Sequence, residues 1–188
     1  SKIVFIGDSI TAGYGLPPAA AYPALLQEKI NARELPYEVV NAGVSGDTTA
    51  GGLRRVNWVL RGSQPGIVVV ALGGNDGLRG VPVEQTRKNL AGIIDRIRAH
   101  SPQAKILLAG MRMPESMGAD YSERFFASFA QVAEDKDVAL LPFLLAGVGG
   151  VDAMNQDDQI HPNAQGQKQI AESVWKHIKP WLLDKNEW

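Results

Sequence analysis

Five short, nearly unbroken runs of β-branched and aliphatic residues divide this chain: Lys2–Ile6, Tyr37–Val40, Ile67–Leu72, Lys105–Ala109 and Val138–Leu141. A strand with one wet face alternates apolar and polar side chains. A run that is apolar at consecutive positions suits a strand covered on both faces, as in a parallel sheet. Longer segments with helical spacing separate the runs: Ala20–Arg33, Ala50–Arg61, Val83–His100, Ser122–Asp135 and Asn163–Leu183. Strand and helix alternate, so the expected fold class is α/β, a parallel sheet between two helical layers. No repeat, low-complexity tract or linker interrupts the 188 residues, which read as one domain over 1–188. Such sheets bind ligands beyond the carboxyl ends of their strands, near the point where strand order reverses. The residues just after each run are therefore the ones to inspect.

Charge and composition remove several classes of function. Nineteen Lys and Arg stand against twenty Asp and Glu, a net charge of −1, and no basic stripe is available to hold nucleic acid. There are no cysteines, which excludes disulfides, thiolate metal sites and cysteine nucleophiles. No apolar run approaches the roughly 20 residues needed to span a bilayer. The first run starts at Lys2 without the charged and apolar regions of a leader, so any signal peptide is expected to have been removed or never present.

Four segments hold residues with chemical capacity. The first run is followed by Gly7-Asp8-Ser9-Ile10-Thr11. A serine at a tight strand-to-helix turn can present its hydroxyl at the sheet edge, and Asp8 or Ser9 can equally serve as a helix N-cap. The G-x-S-x-G elbow of α/β-hydrolases is not met, because Thr11 stands at the second glycine. After the second run, Asn41-Ala42-Gly43-Val44-Ser45-Gly46-Asp47 offers either approachable backbone N–H groups or a plain turn. Ser45 is a second hydroxyl there, without supporting residues. After the third run comes Gly73-Gly74-Asn75-Asp76, where Asn75 can donate its amide to an oxyanion or simply turn the chain.

The fourth segment, Asp158-Gln159-Ile160-His161-Pro162, immediately precedes the last helical stretch. At a spacing of three in a turn, the carboxylate can accept from one ring nitrogen and leave the other for a serine hydroxyl. Pro162 biases His161 toward an extended or turn conformation. The two remaining histidines, His100 and His177, lie in helical segments without such a partner. Neither H-E-x-x-H nor a His/carboxylate facial triad can be drawn, so neither a metal nor a cofactor is expected. Combined, Ser9 can attack, His161 can take its proton and Asp158 can hold the imidazole tautomer. The N–H groups of Ser9 and Gly43, with the Asn75 amide, can hold the oxyanion. Acyl transfer to water is the reaction such parts perform.

In order and over nearly the whole chain, these segments resemble the blocks of the GDSL family, the SGNH hydrolases. The family is named for a Ser, Gly, Asn and His, here Ser9, Gly43, Asn75 and His161, and Asp158 completes its D-x-x-H motif; the first block reads G-D-S-I. The stretches Gly73–Gly80, Leu140–Phe143 and Gln156–Asn163 are similar to the bacterial thioesterase I/protease I/lysophospholipase and arylesterase branch. The resemblance implies a flavodoxin-like three-layer α/β/α sandwich with five parallel strands in the order 2-1-3-4-5. It implies a serine esterase or thioesterase acting on aryl or alkyl esters, acyl thioesters and lysophospholipids. It also implies a mobile segment over about Gly77–Val83 and a periplasmic or secreted setting, with the cytoplasm as the other option.

In such enzymes the acyl chain lies in an open groove, for which Gly77, Leu78, Val81, Met111, Met113, Pro114 and the run Leu144–Met154 are candidate lining; ordinary packing is the alternative for all of them, the methionines included. The small residues Ala146–Gly150 lead us to expect a preference for short to medium acyl chains. The same residues would serve a carbohydrate acetylesterase, which the lack of aromatic residues near Leu78–Val83 disfavours. A different class, a flavodoxin-like nucleotide-binding module, would use Ser9–Gly13 as a phosphate loop. It would leave Asp158 and His161 without a task. The expected partner is a small acyl ester or thioester, with no nucleic acid and no stable membrane insertion. The sequence implies no particular oligomer.

Overall fold

The computed structural model describes residues 1–183; the last five residues of the expected domain, 184–188, lie outside the described residues. The five apolar runs form strands β1 (Lys2–Gly7), β2 (Glu38–Gly43), β3 (Pro65–Ala71), β4 (Lys105–Ala109) and β5 (Ala139–Leu141). All pair in parallel, in the order β2-β1-β3-β4-β5. Between them run α1 (Ser9–Ala12), α2 (Tyr22–Asn31), α3 (Thr49–Leu60), α4 (Gly74–Leu78), α5 (Val83–His100), α6 (Ala119–Asp135) and α7 (Ala164–Leu183). Helices α2 and α7 pack side by side on one face of the sheet, and α3, α5 and α6 on the other. That double cover explains the continuous runs: Ile3, Phe5, Ile6, Val68, Val69 and Val70 are all fully buried.

The strand order reverses at β1, whose neighbours on its two sides are β2 and β3. The segments that follow these three strands therefore converge at one end of the sheet. The second strand ends three residues later than its apolar run suggests. Asn41, Ala42 and Gly43 continue the ladder, opposite Phe5, Ile6 and Gly7, so main-chain pairing extends past the last β-branched side chain. The short helices α1 and α4 span four and five residues, too few for a 3.6-residue period to register in a sequence.

Candidate active site

Ser9 is the first residue of α1. The cap of that helix is Asp8, whose Oδ1 accepts from the Ile10 N–H at 3.0 Å. The capping task is thus met without Ser9, and the Ser9 hydroxyl is left for another partner. That partner is the His161 Nε2 at 3.1 Å. The other ring nitrogen, Nδ1, meets Asp158 Oδ2 at 2.6 Å. Asp158 Oδ1 accepts from the backbone N–H groups of Ile160 and His161, both at 2.9 Å. These contacts hold the Asp158 carboxyl down at about 2, the bond to the imidazole contributing most and the two amide donors next. It is ionised at any working pH and fixes the imidazole tautomer that presents Nε2 to Ser9.

Ser9 and His161 lie 152 residues apart in the chain and are held together by specific bonds. The His161 loop closes on itself through an Asn155–Pro162 bridge and a Gln156 N–H donated to the His161 carbonyl at 2.8 Å. The Gln156 Nε2 donates both to the Pro162 carbonyl and, at 2.7 Å, to the Tyr14 carbonyl beyond α1. Buried Gln167, in the first turn of α7, donates to the Ile10 carbonyl and accepts from the Tyr22 N–H.

The groups expected as oxyanion donors divide differently in the structure. Ser9 N–H is free among the described residues, as an amide of a first helical turn is. The Asn75 amide donates to the Asp47 carbonyl at 2.8 Å, which fixes the side chain and leaves its second N–H available. Gly43, the expected third donor, is corrected by the structure: its N–H is committed to the Asn41 Oδ1 at 2.9 Å. Its glycine identity has another cause, since a Cβ there would lie 2.5 Å from the Ala12 N and 3.0 Å from the Asp8 carbonyl. Three residues on, Gly46 has φ +80 and a space beside it that no atom fills within 4 Å. Its N–H has no acceptor among the described residues, and its neighbour Asp47 is the residue to which Asn75 is tied. The glycine pair in the sequence pointed to this loop; which N–H stays free depends on where the Asn41 side chain folds.

Asn75 is buttressed through its neighbour. Asp76 is buried and accepts from the Thr49 N–H at 2.8 Å, the Thr49 hydroxyl at 2.5 Å and the Thr86 hydroxyl at 2.8 Å. One carboxylate thereby ties α4 to the starts of α3 and α5. The expected groove residues separate into two sets. Leu78 is exposed, Val81 half-buried and Pro114 exposed. Gly77 is buried, with the Met113 sulfur where its Cβ would be, and Met111 is buried against Gly74. Both methionines pack against α4, Met111 buried and Met113 half-buried. Leu144 and Val148, from the run after β5, are core residues as well. The segment expected to be mobile carries several ties: Val81 N–H to the Asp76 carbonyl, Tyr121 hydroxyl to the Val81 carbonyl, and Arg79 to the Gly46 carbonyl.

Asp8 carries a pH signature that the sequence did not announce. Burial raises its carboxyl from 3.8 to about 6, with nearby Asp47 adding to the rise and the Ile10 N–H opposing it. The folded state therefore holds this proton more tightly than the unfolded chain. The resulting stability is complete below pH 3.8, declines as pH rises toward 6, and is absent above that. The shift corresponds to about 2–3 kcal/mol. In an Asp8→Asn variant, whose amide oxygen can keep the cap, the unfolding free energy relative to wild type should rise by that amount between pH 4 and 6.5. Equilibrium unfolding at several pH values measures it, and a pH-independent difference would contradict the assignment.

A parallel α/β sandwich with a linked hydroxyl, imidazole and carboxylate at its strand switch point, read with its relatives, defines a carboxylic ester hydrolase. The chain belongs to the GDSL-like Lipase/Acylhydrolase family, whose model matches residues 5–169. It is 44% identical over 180 residues to the Esterase TesA of Pseudomonas aeruginosa, covering 96% of this chain and 89% of that protein. It is 41% identical to the Thioesterase 1/protease 1/lysophospholipase L1 of Escherichia coli, covering 95% and 83%. A crystal structure of TesA superposes with a TM-score of 0.92 at 43% identity, covering 97% of this chain and all of that one.

Proposed function

We propose that the chain hydrolyses small carboxylic esters and acyl thioesters, lysophospholipids among them, through an acyl-enzyme on Ser9. The observation that carries this reading is the unbroken line Asp158–His161–Ser9, with contacts of 2.6 and 3.1 Å. His161 takes the Ser9 proton as the hydroxyl attacks the carbonyl carbon, and then delivers it to the leaving alcohol or thiol. Water repeats the cycle on the acyl-enzyme. The Ser9 and Gly46 N–H groups and the Asn75 amide take the charge on the carbonyl oxygen. Treatment with a fluorophosphonate should add one phosphonyl group, on the Ser9 peptide, and extinguish hydrolysis; labelling at Ser45 would refute the assignment.

An open site supports short to medium acyl chains. Clefts of about 720 and 590 Å³ lie beneath the amino-terminal edge of the sheet and one of about 480 Å³ between α5 and α6, all away from Ser9. The kcat/KM for p-nitrophenyl esters should peak between two and about eight acyl carbons, a length the half-exposed Ser9 mouth can cover. An optimum at long chains would count against the reading. No helix among the described residues is long and apolar enough to cross a membrane. We propose a periplasmic or secreted setting, supported by the family resemblance; activity found only in the cytoplasmic fraction of the source cell would exclude it.

A further inference from the structure

The floor of the site has its partners, but its rim is unaccounted for. Four of the seven large apolar side chains most exposed among the described residues are Tyr14, Val44, Leu78 and Ile160. These sit in the segments that carry Ser9, Gly46, Asn75 and His161. Tyr14 is the one aromatic residue of the four, and its ring packs against the His161 imidazole. Its N–H donates to the Ser9 carbonyl at 3.0 Å, and its own carbonyl accepts from Gln156 at 2.7 Å. The next residue, Gly15, has φ +78, and the Gln156 side-chain oxygen occupies the place a Cβ would need. The Tyr14 backbone is thus clamped between the nucleophile segment and the base loop. Its ring lies 4.4 Å from the His161 imidazole, centroid to centroid, tilted by 39°, and the residue stays 52% exposed.

That position has a consequence for substrate choice. The leaving oxygen must come within hydrogen-bond reach of the His161 Nε2, because that nitrogen protonates it. Whatever the oxygen carries emerges beside the imidazole, where Tyr14 offers a fixed, half-open aromatic ring. The acyl chain departs from another vertex of the tetrahedral carbon. We propose that Tyr14 is a specificity-determining residue for the leaving group: its ring is the wall on which a planar aromatic alcohol stacks. Aryl esters are then favoured over equally bulky alicyclic esters of the same acid. The inference rests on the Ser9–His161 reading and specifies its alcohol side.

The test compares 2-naphthyl acetate with cyclohexyl acetate in wild type and in Tyr14→Leu, Tyr14→Phe and Tyr14→Trp. Tyr14→Leu should lower kcat/KM for the naphthyl ester about two- to tenfold, the range of one aromatic pair, and change the cyclohexyl ester less than twofold. The Phe and Trp variants should keep the aryl preference, which shows that a ring, and not a folding requirement, is responsible. An equal fall for both esters would mean that Tyr14 only steadies the imidazole, and would overturn the proposal. So would no change, or a shift in acyl-length preference across p-nitrophenyl esters. Ser9→Ala in the same assay separates the two levels: if it still turns over, the nucleophile assignment fails and not the leaving-group wall.

Discussion

Alanine at position 9 is expected to lower kcat/KM for p-nitrophenyl acetate by about 10⁵–10⁶-fold, the scale seen when a serine nucleophile is removed from such a constellation. The fold should hardly notice. Among the described residues the Ser9 hydroxyl hydrogen-bonds only to the His161 Nε2, whereas the cap of α1 is supplied by Asp8. Thermal unfolding of Ser9→Ala should therefore stay close to that of wild type while turnover disappears. What remains is the rate the oxyanion donors and binding supply without a nucleophile, about 10³–10⁴ over water. Retention of more than a hundredth of the activity in Ser9→Ala, with loss in Ser45→Ala, would transfer the role to Ser45.

Asparagine at position 158 should cost about 10²–10⁴-fold in kcat. The substitution keeps an oxygen for the two amides that Asp158 Oδ1 receives, so the loop should stay closed. What changes is the second position. Where the carboxylate Oδ2 accepts from the His161 Nδ1, an amide group presents a donor or a neutral acceptor. A donor there favours the tautomer with its proton on Nε2, and that nitrogen can no longer accept the Ser9 proton. The lower part of the range is set by exposure: the Asp158 side chain is 38% accessible, so water can replace part of its effect, more than in a buried triad. Steady-state kinetics on matched Asp158→Asn and Asp158→Ala samples measure the loss. A change below fivefold in kcat would mean that Asp158 holds the loop and not the tautomer.

The strands were legible because burial on both faces of a parallel sheet demands consecutive apolar residues. Four of the five runs match their strands within a residue or two, and β2 departs only where Asn41–Gly43 pair through main chain alone. The Asp158/His161 pair was legible for a related reason: a contact spanning three residues is nearly a local property. Longer-range contacts were not. Gly43 and Gly46 are equivalent in the sequence; the Asn41 side chain, anchored on the Thr11 carbonyl 30 residues away, accepts from the Gly43 N–H and leaves that of Gly46 free among the described residues. Met111 and Met113 read equally well as groove or core until α4 is placed over them.

Local chemistry, then, was written in the chain: an α/β alternation, a serine after the first strand, and a histidine with its carboxylate before the last helix. Those are matters of periodicity and short spacing, which a linear string records. The meeting of Ser9 with His161, the burial that lifts Asp8, and the clamping of Tyr14 over the imidazole are three-dimensional facts. The first and the last depend on bonds between residues 152 and 142 positions apart, and all three on a sheet that brings those positions to one end. A burial or a hydrogen bond at that separation has no signature in the sequence near either partner.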